Sequence, residues 1–146
     1  MKIYNGEGMI LGRLASLAAK QVLLGEEIHV INCEKVVISG RKANTLAWQH
    51  QRRKRKGYPL KSQTHSRLPE RLVRRTIRGM LPWKQSRGRE AFHLVLCHRG
   101  LPAEFIGKEI IEMATSKGTA KESVAKLPTL HYTTVGELCR LLGGKA

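Results

Sequence analysis

Positive charge is confined to one stretch of this chain, and that confinement narrows the folds open to it. Between residues 40 and 100 stand 17 lysines and arginines against two acids, Glu70 and Glu90, a surplus of +15. The rest of the chain carries 10 bases and 9 glutamates and nearly balances. A compact block of like charge repels itself. The balanced flanks must therefore supply most of the core, and the basic middle calls for a polyanion that neutralises it and releases condensed counterions. Nucleic acid fits that demand better than an anionic membrane surface, since a merely solvated face mixes its signs and this block does not; no apolar run approaches the ~18 residues of a spanning helix. All 11 acids are glutamate. The lack of aspartate excludes any site built on an Asp nucleophile, an Asp metal ligand or an Asp-oriented histidine.

A length of 146 residues with 41% apolar composition suits one domain over residues 1–146. A domain of that size buries roughly 70% of its extended-chain surface and needs no disulfide staple. Cys33, Cys97 and Cys139 are odd in number and form no C-x-x-C pair, which disfavours a disulfide framework or zinc ribbon. They read as small buried hydrophobes in a reducing cytoplasm. The start MKIYNGEG lacks an apolar stretch of signal-peptide type.

Hydrophobic spacing orders the elements. Residues 2–5 read as a strand. Leu11, Leu14, Ala15, Ala18 and Val22 then fall on one face of a helix that Gly25 stops. The run EIHVINC at residues 27–33 reads as a strand, and residues 36–39 either extend it or form a second short one. This is a βαβ unit, for which parallel pairing is the default. A weaker helix over residues 40–51 has Ala43, Leu46, Ala47 and Trp48 as its apolar positions. It leads into a basic run and a loop, so residues 52–67 are expected to be mobile without RNA. Pro69 opens a third helix at a position where its missing N–H costs nothing. Leu72, Val73, Thr76, Ile77 and Met80 form its apolar face, and Pro82 ends it. Residues 86–94 predict a helix, and residues 94–98 a strand. A capping box at Thr134 and Glu137 precedes a last helix that stops at Gly143. The pattern predicts an α/β fold with a basic helical and loop middle section.

Two features point to chemistry. Arg71, Arg74, Arg75 and Arg78 share one stripe of the third helix, where like charges at i, i+3 and i+4 destabilise an isolated helix. The planar guanidinium fork binds phosphate bidentately and stacks on bases. Trp48, Tyr58 and Trp83 lie in the same basic block and could stack on unpaired bases, Tyr58 foremost because basic residues flank it. A rival reading uses Gly6, Gly8 and Gly12 as a phosphate-binding turn of a small nucleotide-dependent enzyme, with Glu34 as the ribose partner. The spacing there is one residue longer than the dinucleotide fingerprint. The six histidines show no metal-ligand spacing.

Ile10-Leu11-Gly12-Arg13-Leu14-Ala15-Ser16, Val30-Ile31-Asn32, Val37-Ile38-Ser39-Gly40, Arg78-Gly79-Met80-Leu81-Pro82, Arg87-Gly88-Arg89 and the Gly100-x-Pro102 turn occur in this order. Together they resemble the universal large-subunit ribosomal protein family of L-thirteen type, over roughly residues 3–105. The opening of the chain is more similar to the archaeal or eukaryotic branch. The resemblance implies a four-stranded parallel sheet in an α/β/α domain, a structural role on large-subunit ribosomal RNA, neighbouring large-subunit proteins as further partners, and a cytoplasmic, ribosomal location. It implies no catalytic residue, cofactor or metal, no membrane and no homo-oligomer. From charge and helical geometry, the residues expected to touch RNA are Arg13, Arg52, Arg53, Lys54, Arg55, Lys56, Tyr58, Lys61, Arg71, Arg74, Arg75, Arg78, Lys84, Arg87 and Arg89.

Overall fold

The structure, a computed structural model, describes residues 1–55, 65–111, 127 and 131–144. Strand β1 (Lys2–Asn5), helix α1 (Leu11–Leu23) and strand β2 (Ile28–Ile31) form the βαβ unit, with β1 and β2 parallel and Lys2 opposite Ile28. All four residues of β2 are buried, as befits a central strand covered on both faces. Strand β3 (Val37–Ser39) follows a 3₁₀ turn at Cys33–Lys35. Helices α2 (Lys42–Lys54), α3 (Pro69–Met80) and α4 (Ser86–His93) come next, then strand β4 (Val95–Cys97), which pairs parallel with the other edge of β2. Strand β5 (Tyr132–Thr134) runs directly into helix α5 (Val135–Leu141).

The parallel sheet has the order β1-β2-β4. Ile111 adds a single parallel rung outside β1, its N–H donating to Ile3 O at 2.8 Å and its carbonyl accepting from Asn5 N–H. It remains an isolated rung, so the parallel sheet among the described residues has three strands where about four were expected. β3 is a separate element that pairs antiparallel with β5, a strand that no sequence pattern signals.

Side chains alternate along a strand, and the two sheet faces are covered differently. Tyr4, Ile28 and Val30 join Leu14, Ala18 and Val22 of α1 and Val73 and Ile77 of α3 in the main core. Ile3 and Ile31 meet Phe105, from the 3₁₀ turn Ala103–Phe105, on the other face. The expected apolar face of α1 is the buried one. On α3, Val73 and Ile77 are buried, whereas Met80 is exposed. Thr134 Oγ1 accepts from Glu137 N–H, as the capping box requires, and Gly143 takes a positive φ of 77°.

Two expectations are corrected. The apolar positions assigned to α2 enter no core: none of its residues is buried, and of the four only Leu46 is half-buried. Arg52, Arg53 and Lys54 belong to α2 and not to a loop, because the helix runs three residues past its expected end. Among the thiols, Cys33 and Cys139 are buried and Cys97 is half-buried, all free. Cys33 Sγ donates to Val30 O at 3.5 Å; the neighbouring Cys97 thiol, then burial, pushes the Cys33 thiol up, and burial pushes Cys139 up to about 11.

His29 and His98 share a hydrogen bond of 3.2 Å, Nδ1 to Nε2, beside Phe105. Glu27 lies 3.3 Å from His29, and Lys108 rests over the Phe105 ring. Burial, then the charge of His29, pushes the His98 pKa down, with Glu104 opposing. A histidine with a depressed folded pKa binds fewer protons folded than unfolded, so stability is complete above the ordinary value of ~6.5 and is lost as pH falls below it. The melting temperature is expected to drop between pH 7.5 and 5, and His98→Gln to flatten that drop; an equal drop in the variant assigns it elsewhere.

Candidate nucleic-acid interface

Helices α2 and α3 border a cleft of about 770 Å³. Arg41 and Arg52 come from the α2 side, and Arg71, Arg75 and Arg78 from α3. Trp48 and Trp83, the chain's two tryptophans, line it as well, with Asn44, Gln49, His65 and Ser66 among the polar groups. No glutamate lines it among the described residues. The Arg52 guanidinium lies 4.4 Å from the centroid of the Trp48 ring, and that of Arg78 lies 4.9 Å from the centroid of Trp83. Burial, then the charges of Arg78 and Arg52, pushes the Arg75 pKa down. Cations from two helices thus converge where a polyanion would relieve them.

The local sequence accounts for this wall. Pro69 fixes the first turn of α3, and Val73 and Ile77 anchor it in the core. At 100° per residue, Arg71, Arg75 and Arg78 then project within a ~60° arc away from that core. α2 is held differently. Lys42 pairs with Glu137 of α5, and Arg53 Nη2 donates to Ser66 O at 3.1 Å. An exposed ion pair contributes little, so these polar ties hold α2 less firmly than burial holds α3.

The other expected contacts divide. Arg74, at the edge of the stripe, does not line the cleft; its guanidinium sits 4.6 Å from the Phe92 ring centroid. Arg53 is half-buried, its pKa pushed down by burial and then by Arg67. Arg87 Nη2 reaches Leu23 O at the C-terminus of α1, at 3.5 Å, where a cation complements the helix dipole. Arg13, Lys54, Arg55, Lys84 and Arg89 are exposed outside the cleft. Lys56, Tyr58 and Lys61 lie outside the described residues. Arg41 is an addition to the expected set: its only signal is that it opens the basic block immediately before α2.

The first glycine and the charged residues of the glycine turn are engaged within the fold. A Cβ on Gly6 would stand 2.7 Å from Val36 Cγ2 and 2.9 Å from Ile31 O, so that glycine lets two chain segments cross. Glu34 Oε2 accepts from the Gly100 amide at 3.1 Å, and Lys35 pairs with Glu7 at 2.8 Å. No helix among the described residues is long and apolar enough to cross a membrane.

Residues 1–104 match the family model of ribosomal protein L13. The chain is 40% identical over 141 residues to large ribosomal subunit protein uL13 of Methanopyrus kandleri, covering 97% of this chain and 86% of the relative. It is 39% identical to the protein of that name from Methanosarcina barkeri, and 40% identical to that from Methanococcus maripaludis, each over 99% of both chains.

Proposed function

The chain belongs to the ribosomal protein L13 family, and from that premise we infer how its surface serves the ribosome. It is a structural constituent of the large ribosomal subunit, where it binds and stabilises folded ribosomal RNA. The cleft between α2 and α3, with its converging arginines and no acid, is the observation that carries the assignment of the RNA-facing surface. Arg41, Arg52, Arg71, Arg75 and Arg78 hold phosphates there, and the exposed Arg13, Lys54, Arg55, Lys84 and Arg89 extend the track, with Lys56, Tyr58 and Lys61 continuing it in sequence. Such contacts position the protein without reading sequence. Selectivity then comes from RNA shape, since side chains cannot read the narrow A-form major groove.

Catalysis forms no part of this role. The protein acts as one copy in one domain, with ribosomal RNA and neighbouring large-subunit proteins as partners. The experiment is binding of the chain to large-subunit RNA across salt. With ~6–10 phosphates contacted, raising salt from 50 to 200 mM is expected to cut affinity by roughly 10³–10⁵, on the scale set by duplex DNA. A flat response would refute this backbone tether of protein to RNA and favour a small-ligand site.

A further inference from the structure

We infer that the cleft between α2 and α3 receives an unstacked nucleotide of the bound RNA, its base laid against the tryptophan rings. This rests on the reading of the same surface as the RNA interface and adds which RNA feature enters it.

Both tryptophans line this cleft, and they remain 53% and 42% exposed. Tryptophan is highly buried on average, so leaving both open in one place forgoes apolar burial that the fold could have used. α2 has no buried residue and presents Trp48 to the cleft. Each wall repeats one arrangement: Arg52 over Trp48 on α2, and Arg78 over Trp83 at the end of α3. Guanidinium planes and indole rings both stack on nucleobases. Asn44, Gln49 and Ser66 lie within the same lining and supply donors and acceptors for a base edge. The volume of about 770 Å³ is that of a small-ligand pocket, whereas a phosphate alone needs only a surface fork. Paired bases keep their faces inside the duplex; only a bulged or looped-out base offers one to an aromatic ring.

The test uses the full chain and two RNA hairpins closed by the same non-nucleotide linker, one with a fully paired stem and one with a single unpaired purine bulged from it. Because the chain has two tryptophans, both in the cleft, its intrinsic emission reports on this site. The bulged hairpin is expected to bind roughly 5- to 150-fold more tightly, the range of one base–aromatic stack, and to quench the emission. Trp48→Phe and Trp83→Phe should keep the preference. Trp48→Ala with Trp83→Ala should abolish it while leaving affinity for the paired hairpin and its salt slope in place. Equal affinity for both hairpins with unchanged emission overturns the inference and leaves the backbone tether standing. Failure of both hairpins to bind at low salt overturns the tether and this inference together.

Discussion

Replacing Arg71, Arg75 and Arg78 together by glutamine is expected to collapse RNA affinity while the free protein stays as stable as before. The three line one wall of the cleft. A charge-assisted hydrogen bond contributes ~1.5–3 kcal/mol net, so removing each arginine–phosphate bond lowers affinity by roughly 10- to 100-fold. The salt slope should flatten by about one unit for each phosphate left without its arginine. Glutamine keeps helix propensity, and the i, i+3 and i+4 repulsions within the set, a few tenths of a kcal/mol per pair, disappear. That relief offsets removal of the Arg78–Trp83 cation–π pair, which contributes about 0.5–1 kcal/mol at an exposed site.

Arg74 is the internal control, because it shares the helix but not the cleft. Its guanidinium covers Phe92, and among the described residues its Nε is buried without a hydrogen-bond partner. Arg74→Gln should lower stability by about 1 kcal/mol and leave RNA affinity within twofold. Urea unfolding and RNA titration of both variants check the pair of outcomes. A triple variant that unfolds more easily yet binds RNA undiminished would reverse the assignment.

This division was only partly legible in the sequence. A helical wheel groups all four arginines, since only ~100° separates the extremes. It does not say that α4 brings Phe92 to one edge of the stripe. Where an element's partner lies in the core, the apolar period was largely sufficient: α1 buries Leu14, Ala15, Ala18 and Val22, and α3 buries Val73 and Ile77, though Met80 of the expected face is exposed. α2 shows the converse. Ala43, Leu46, Ala47 and Trp48 look like a packing face, yet none of them is buried. Hydrophobic spacing reports that a face seeks a partner and not whether the partner is protein. β5 was invisible because Tyr132-Thr133-Thr134 lacks the apolar run that marks β3 and β4, and its existence depends on antiparallel pairing with the distant β3. The cleft was invisible for a related reason: neither of its walls is complete without the other helix, so no local pattern encodes it.

Gly88→Ala is expected to be the most damaging single-methyl change, and it tests how the cleft's far wall is held. Gly88 is buried in α4, and a Cβ there would stand 2.1 Å from Pro82 O, 2.3 Å from Pro82 C and 2.7 Å from Trp83 N. All three are backbone atoms, which cannot rotate away as a side chain would. Overpacking ordinarily costs ~1–3 kcal/mol and occasionally more. With no flexible atom to yield, the cost here should reach about 3 kcal/mol or more, despite the better helix propensity of alanine. The companion change separates packing from propensity. Gly79 lies in α3, and a Cβ added there would meet nothing within 4 Å, so Gly79→Ala should raise stability by ~0.5–1 kcal/mol. Thermal melts should therefore move in opposite directions, with a drop on the order of 10 °C for Gly88→Ala. Because the clash falls on the peptide that carries Trp83, the emission of the still-folded Gly88→Ala protein should also shift and its preference for an unpaired base should weaken. A Gly88→Ala protein as stable as the parent would mean that α4 is not seated on the Pro82–Trp83 backbone, and that the wall presenting Trp83 is held in some other way.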